Sequence, residues 1–171
     1  LVTRPEVVPD FDGLPMHLYY KVPDELGNQS SENTDADTLL VLPVKLNFCC
    51  PMKCSFCISS GDEFTKVTNM DPEKIAREIK ALVERYDTRY FMFADDLFNT
   101  SRKFAEDIAD AFIDHKLDIM WSDCAYARDL DLPLLKKLRR SGAVRFVWGV
   151  ESASLKLRKL VNKDISIADV E

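Results

Sequence analysis

Apolar positions along residues 39–161 follow two alternating patterns, and their alternation predicts the architecture. Between short apolar runs, apolar residues recur three or four positions apart, which is the period of an amphipathic helix. Strand and helix therefore alternate four times, an order typical of right-handed βαβ units on a parallel sheet. The predicted strands are the apolar runs at residues 39–48, 90–94, 118–126 and 144–150.

Capping residues mark where the predicted helices begin and end. Asp71 before Pro72 is typical of a helix N-terminus, because Asp accepts from a free backbone N–H and Pro has a fixed helical φ. Asp131 predicts the N-cap of a helix that ends before Gly142, a residue suited to the left-handed conformation after a helix. Ser154 predicts the start of the last complete helix. That helix is expected to direct its apolar side chains inward: Leu157, Leu160 and Val161.

The chain divides into an irregular lead-in and a periodic part. Residues 1–38 contain four prolines and a polar stretch with almost nothing to bury, so we expect no regular structure there. Residues 39–171 hold all the predicted strands and helices and are expected to form one domain. Because the sequence starts without Met and stops inside what resembles a helix turn, we expect it to be the middle of a longer protein.

Composition narrows the classes of function. The 171 residues carry a formal net charge of −6, which is not typical of proteins that bind nucleic acid non-specifically. No apolar run approaches the roughly 18 residues that span a membrane. Five cysteines, three of them clustered, argue against a disulfide framework and favour a reducing, cytoplasmic location. We therefore expect neither a nucleic-acid partner nor a membrane.

Three cysteines within eight residues carry the strongest chemical signal. Cys50, Cys54 and Cys57 follow the first predicted strand at CxxxCxxC spacing. Three thiolates on one loop can hold three corners of a metal–sulfur cluster and leave the fourth open to a substrate. A closed zinc site is the alternative, and it needs a fourth ligand from the chain. The candidates for that ligand are Cys49, Cys124, His17 and His115.

Polar residues follow the other three predicted strands, at the end of a parallel sheet where ligands bind. Asp95 and Asp96 could hold a cation or an ammonium group, or simply cap a helix. Arg128 could bind a carboxylate or pair with a neighbouring acid on the surface. Glu151 and Ser152 could accept hydrogen bonds from amines or ribose hydroxyls, or only shape the turn into the next helix.

Taken together, these motifs resemble the radical S-adenosylmethionine (SAM) superfamily, in particular the branch often fused to a cobalamin-binding domain. The similarity runs from about residue 9 to residue 169. Besides the cysteines it rests on Asp10-Phe11-Asp12-Gly13-Leu14-Pro15, Phe93-Ala94-Asp95-Asp96-Leu97-Phe98, Arg128-Asp129-Leu130 and Gly149-Val150-Glu151-Ser152. The cobalamin motif Asp-x-His-x-x-Gly does not occur in the sequence, so any cobalamin would bind a domain outside this chain.

The resemblance implies an α/β fold, a partial (β/α)₆ barrel of about four strand–helix units. Cys50, Cys54 and Cys57 would hold a [4Fe–4S] cluster whose open iron binds SAM, and Cys49 would stay outside it. The residues around SAM would be Phe56 beside the adenine, Asp95 or Asp96 at the methionyl ammonium, Arg128 and Ser152 at the carboxylate, and Glu151 near the ribose.

The resemblance also implies an enzyme that cleaves SAM reductively to a 5′-deoxyadenosyl radical, for hydrogen abstraction or, in cobalamin-using relatives, methyl transfer. Its partners would be a small-molecule or peptide substrate and a reductant of the flavodoxin or ferredoxin type. We expect the 171 residues alone to lack substrate turnover, because the family's barrel has two further strand–helix units. A non-enzymatic iron–sulfur or zinc module is the alternative function.

Overall fold

The computed structural model describes residues 40–60, 66–163, 165–166 and 168–169. Its strands are β1 (Val41–Val44), β2 (Asn47–Phe48), β3 (Thr68–Asn69), β4 (Tyr90–Phe93), β5 (Met120–Ala125) and β6 (Ala143–Trp148). A parallel sheet has the spatial order β1, β4, β5, β6, while the short β2 and β3 pair antiparallel beside it. The predicted α/β fold with a parallel four-stranded sheet is confirmed. The predicted irregular lead-in lies outside the described residues.

Helices follow the strands of the main sheet, and their ends are fixed by the expected side chains. The helices are α1 (Pro72–Tyr86), α2 (Arg102–Asp114), α3 (Leu132–Arg140) and α4 (Leu155–Leu160). The predicted caps are confirmed: Asp71, Asp131 and Ser154 each accept a hydrogen bond from the backbone N–H three residues later. Such a cap is worth about 1 kcal/mol. No helix in the described part of the chain is long and apolar enough to cross a membrane.

The core lies between one face of the sheet and the helices α1 to α3. Trp121 is fully buried at its centre, with ring centroids 5.0 Å from Phe93, 5.1 Å from Phe98 and 5.5 Å from Phe146. Its indole N–H donates to the carbonyl of Ser141, so the large ring buries no unpaired donor. This packing fixes β4, β5 and β6 relative to one another and therefore fixes where the strands end.

The opposite face of the sheet is largely open. Its exposed apolar side chains come from all four strands of the sheet: Val41, Met92, Met120 and Val147. Cys124 is also exposed on this face, whereas a free Cys is more often buried. Since Trp121 and Asp123 point to the helix side of β5, the alternation along a strand places the side chain of Cys124 opposite them.

The first predicted strand, at residues 39–48, is interrupted in the structure. β1 ends at Val44, and the chain pairs again only at Asn47–Phe48, in the separate small sheet. The interruption has a physical cause, because the backbone N–H groups of Leu46 and Asn47 donate to the side chain of Asp95 instead of to a strand. The break therefore turns the chain away from the main sheet just before the cysteines.

The prediction that α4 directs its leucines inward is wrong. Leu157 is 50% exposed and Leu160 is 76% exposed, whereas Arg158 is almost fully buried. The Arg158 guanidinium donates to the carbonyl oxygen of Ser152 at 2.6 Å, which orients this six-residue helix. In the part of the chain that the structure describes, β6 is the last strand of the sheet, so no further strand lies beyond it for the leucines to cover.

Candidate functional site

The loop that carries the clustered cysteines begins directly after β2. Cys49 has a φ of 68°, a left-handed conformation that reverses the direction of the chain. A turn at the other end of the loop is closed by the backbone N–H of Cys57, which donates to the carbonyl of Cys54 at 3.0 Å. We call residues 49–57 the cysteine loop.

The segment after α4 holds the cysteine loop in place. The backbone N–H of Ser55 donates to the carbonyl of Val161 at 3.1 Å. The side-chain amide of Asn162 donates to the carbonyl of Lys53 at 2.7 Å. Both bonds join residues that are more than one hundred positions apart, so the loop conformation depends on the completed fold.

The three thiols of the loop lie close enough to act on one another electrostatically. Burial raises the pKa of Cys50, and the neighbouring Cys54 and Cys57 raise it further. Burial also raises the pKa of Cys54, and the nearby Lys163 ammonium opposes that rise. The positive charge of Lys163 therefore offsets part of the repulsion between neighbouring thiolates.

Asp95, at the end of β4, is buried and accepts three hydrogen bonds from the segment just before the cysteine loop. Its Oδ1 accepts from the backbone N–H of Leu46 at 2.9 Å and of Asn47 at 3.1 Å. Its Oδ2 accepts from the side-chain amide of Asn47 at 3.2 Å. Burial raises the pKa of Asp95 to about 6, and the two backbone donors oppose that rise. The residue fixes the chain just before the cysteine loop.

A second buried acid, Asp123 on β5, lies against Asp95. Burial and the neighbouring Asp95 charge raise the pKa of Asp123 to about 9. Two carboxylates in contact cannot both stay charged away from water, so one of them holds a proton at neutral pH. The pair therefore carries one negative charge, and that charge lies on Asp95, which faces three N–H groups.

Asp96 has a different environment from its neighbour. Its side chain is exposed, and its charge raises the pKa of the thiols of Cys50 and Cys124. Its carboxylate therefore lies within electrostatic range of both thiols. Of the two acids predicted to receive an ammonium group, Asp96 is the one whose carboxylate is left accessible.

Arg128 follows β5 in a short 3₁₀ turn, Ala127–Asp129, and lies on the same side as the cysteine loop. Its guanidinium stacks over the ring of Tyr126, 5.5 Å from the centroid. It borders a cavity of about 420 Å³ together with Met52 and Lys53 of the loop. Phe56, just before the last cysteine, is largely exposed.

Glu151 and Lys163 meet above the end of β6. Lys163 Nζ lies 3.6 Å from Glu151 Oε1, and both groups act on the thiol of Cys54. Gly149 permits this approach, because a Cβ there would lie 2.5 Å from Glu151 Oε1 and 2.9 Å from Lys163 Nζ. The hydroxyl of Ser152 accepts from the backbone N–H of Ser154 and so shapes the turn before α4.

A sequence model of the radical SAM superfamily matches residues 44–171 of this chain. The chain belongs to the radical SAM superfamily. The match begins at the end of β1 and includes the cysteine loop and the strand ends just described, so the resemblance inferred from the motifs is confirmed.

Two curated relatives match this chain over only part of their own length. An uncharacterized methyltransferase of Pyrococcus horikoshii is 26% identical over 159 residues, which are 93% of this chain and 31% of that protein. The anaerobic magnesium-protoporphyrin IX monomethyl ester cyclase of Cereibacter sphaeroides is 29% identical over 124 residues, which are 70% of this chain and 20% of that protein. The chain thus spans about a third or less of the curated relatives that it matches.

Solved structures share the radical SAM fold with this chain. The radical SAM methyltransferase TsrM of Kitasatospora setae, with tryptophan and a SAM analogue bound, superimposes with a TM-score of 0.69 at 12% identity. That match covers 76% of this chain and 26% of TsrM. The cobalamin-dependent SAM radical enzyme OxsB superimposes with a TM-score of 0.64 at 16% identity, covering 75% of this chain and 21% of OxsB.

The chemistry of the cysteine loop fits the iron–sulfur cluster that defines radical SAM proteins. Each of three thiolates binds a different iron of such a cluster, so the sulfurs need not converge on one ion. Among the described residues, no group of three or more His, Cys, Asp or Glu side chains is arranged to hold a single metal ion. The three mutually interacting thiols of Cys50, Cys54 and Cys57, beside Lys163, could supply three thiolate ligands to such a cluster.

Two residues of this radical SAM site were missed by the sequence analysis. Asn47 is fully buried and bridges Asp95 to the carbonyl of Leu97. Asp123 lies on the buried face of a strand. The sequence did contain a sign of Asp123. Residues two apart on a strand point to the same face, so an acid two positions after Trp121 lies on the buried face of β5.

Proposed function

We propose that this chain is the catalytic core of a radical SAM enzyme. The observation that carries the proposal is the meeting of three strand ends, those of β4, β5 and β6, around the cysteine loop. Asp96 acts on Cys50, Glu151 and Lys163 act on Cys54, and Arg128 borders a cavity with residues of the same loop. Parallel strands place their carboxyl ends on one face of a barrel, so these groups can surround one ligand.

In this proposal Cys50, Cys54 and Cys57 would hold a [4Fe–4S] cluster, and the iron without a cysteine ligand would be available to SAM. When bound, the cluster supplies the electron that cleaves SAM to methionine and a 5′-deoxyadenosyl radical. Asp96 would accept from the N–H of the methionyl amino group and leave Asp95 to hold the loop. Carboxylate acceptors suit this task, since hydrogen bonds between charged groups are about twice as strong as neutral ones.

The remaining residues orient the rest of SAM. Arg128 can bind the methionyl carboxylate with its guanidinium fork, and Ser152 adds a donor on the same group. Glu151 accepts from ribose hydroxyls, and the exposed ring of Phe56 is free to pack beside the adenine. The substrate is a small molecule or a peptide, modified by hydrogen abstraction or methyl transfer. The reductant is of the flavodoxin or ferredoxin type, in the cytoplasm.

Cobalamin, where used, binds a domain outside these 171 residues. One solved neighbour and one curated relative are named methyltransferases, and another solved neighbour is named cobalamin-dependent. These names support placing the chain in the branch of the superfamily that is often fused to a cobalamin-binding domain. We also propose that the 171 residues alone do not turn over a substrate, since they span a third or less of the relatives.

The test is anaerobic reconstitution of the full-length protein with iron and sulfide. We expect four irons and four sulfides per protein, a reduced-cluster EPR spectrum that changes when SAM is added, and release of 5′-deoxyadenosine. A cluster that forms but does not respond to SAM would identify an electron-transfer module instead. Binding of one zinc in place of iron and sulfide would contradict the proposal.

A further inference from the structure

Asp123 is a buried acid that the proposed chemistry leaves without a task. It is 4% exposed, and its Oδ1 accepts from the backbone N–H of Cys124 at 2.7 Å. Among the described residues, no N–H or O–H group donates to its Oδ2. A charged carboxylate oxygen would be costly in that position, because a buried acceptor without a donor loses its hydration without compensation.

The neighbouring carboxylate resolves this cost if Asp123 is a carboxylic acid. Asp95 and Asp123 share a side-chain hydrogen bond, and one of the two must supply the proton for it. Asp95 already accepts from two backbone N–H groups and from the amide of Asn47, all of which favour its charged form. Asp123 accepts from the backbone N–H groups of Cys124 and Asp95 but has no donor on Oδ2 among the described residues, so it is the weaker acceptor of the two acids and its O–H points to Asp95.

We propose that Asp123 is a positioning residue for the cysteine loop, which it supports through Asp95 and the backbone of Leu46 and Asn47. The contacts run without interruption from β5 to the loop. Asp123 donates to Asp95, Asp95 accepts from Leu46 and Asn47, and Cys50 lies three residues further along the chain. This role rests on the proposed function, in which the loop holds the cluster.

Hydrogen bonds to Asp95 fix the position of Leu46 and Asn47, the residues just before the cysteine loop. Leu46 and Asn47 belong neither to the main sheet nor to a helix, so side chains must satisfy their backbone N–H groups. Asn47 adds a bond from its amide to the carbonyl of Leu97, which ties the same point to the chain after β4. Removing the support from Asp123 would leave Asp95 free to shift and would loosen both backbone bonds.

The test compares three variants of the full-length protein without its cluster. Asp123→Asn keeps an N–H donor toward Asp95, while Asp123→Leu keeps the branched shape with a larger side chain and no donor. Thr88→Val is the matched control, because Thr88 is equally buried at the opposite end of the sheet and donates to the carbonyl of Leu40. The readout is hydrogen–deuterium exchange by mass spectrometry on a peptide that contains residues 45–48.

We expect Asp123→Leu to accelerate exchange at Leu46 and Asn47 by about tenfold, the effect of losing one buried hydrogen bond. Asp123→Asn should stay near the wild-type rate, and Thr88→Val should leave this peptide unchanged. If Asp123→Leu does not fold, Asp123→Ala is measured with the same expectation. Wild-type exchange in a folded variant that lacks the donor would overturn the proposal.

A second readout uses the reconstituted cluster. We expect Asp123→Leu to lower the iron content and to change the EPR spectrum of the reduced cluster, with recovery in Asp123→Asn. Unchanged iron content and spectrum in Asp123→Leu would also overturn the positioning role. A wild-type protein that binds no cluster would refute the proposed function alone, because the exchange experiment needs no cluster.

Discussion

The adjacent residues Asp95 and Asp96 place their carboxylates in different environments. Asp95 is buried and accepts hydrogen bonds from the chain just before the cysteine loop. Asp96 is exposed, and its charge reaches the thiol of Cys50. Two identical side chains thus serve separate purposes, one structural and one facing the proposed SAM site.

Replacing Asp96 should weaken SAM binding without loss of the cluster. We expect Asp96→Asn to lower the affinity for SAM by about tenfold, because one charge-assisted hydrogen bond is lost. The measurement is titration of the SAM-induced change in the EPR spectrum of the reduced cluster. Asp114→Asn, at the exposed end of α2, is the control and should behave as wild type. Equal affinity in Asp96→Asn and wild type would remove Asp96 from the SAM site.

Replacing a cluster ligand should abolish iron binding, whereas replacing the cysteine beside it should not. We expect Cys50→Ala, Cys54→Ala and Cys57→Ala each to lose most iron and sulfide after reconstitution. Cys49→Ala should load four irons, because its left-handed backbone turn precedes the first ligand. Loss of iron in Cys49→Ala together with normal iron in Cys50→Ala would show that the ligand assignment is wrong.

Gly142 should be far less tolerant of a side chain than Gly149. Gly142 has a φ of 104°, and a Cβ there would lie 2.3 Å from the carbonyl oxygen of Ile119. We expect Gly142→Ala to lower the free energy of unfolding by about 1–3 kcal/mol, the usual cost of such strain. Chemical unfolding of the cluster-free protein measures this loss.

Gly149→Ala is the matched control for that experiment. Its new Cβ would meet the ends of two flexible side chains, Glu151 and Lys163, which can move aside. The loss of stability should therefore be smaller than for Gly142→Ala, while the displaced ion pair should weaken SAM binding. Equal stability losses in the two variants would contradict the strain argument.

Asp123, the buried acid on β5, should make the free energy of unfolding of the domain depend on pH. Folded Asp123 keeps its proton up to a pKa of about 9, but unfolding restores the ordinary value of 3.8. Between these values unfolding releases a proton, so a rise in pH favours the unfolded state. The stabilisation that protonated Asp123 gives the folded state is fully present below the pKa of the unfolded state, 3.8. It is lost as the pH rises toward the folded-state pKa of about 9.

Asp123→Asn should remove that dependence. We expect the stability of the wild type relative to Asp123→Asn to fall between about pH 6.5 and pH 8.5, by at most about 1.4 kcal/mol per pH unit. This range lies above the pKa of Asp95, which burial raises to about 6, so Asp95 contributes little to the slope. Chemical unfolding of both proteins across this range is the measurement. Parallel pH profiles would show that Asp123 is charged in the folded protein.

The sequence predicted the parts of the fold that depend on local chemistry. Helix starts at Asp71, Asp131 and Ser154 follow from side chains that accept from nearby backbone N–H groups. The apolar residues Phe104, Ile108 and Phe112 recur at the helical period, and all three are buried on one face of α2. Such features need only a few neighbouring residues, so a pattern in the sequence is sufficient to predict them.

Features that depend on distant partners escaped the sequence analysis. Leu157 and Leu160 satisfy the period of a buried helix face, yet the burial of Arg158 decides the orientation of α4. The break after β1 likewise depends on Asp95, almost fifty residues away. Neither contact produces a periodic pattern of apolar residues in the sequence. The sequence predicted that the candidate site lies at the strand ends. It did not predict that Asp95 is buried while Asp96 is exposed.

The bond from Ser55 to Val161 sets an order of events during synthesis. A ribosome makes the cysteine loop long before it makes the residues after α4, and domains fold as their chains emerge. Until Val161 and Asn162 have left the ribosome, the loop lacks both bonds that hold Lys53 and Ser55. Iron and sulfide delivered to the nascent chain would therefore meet unanchored thiols. Maturation of this protein should follow translation rather than accompany it.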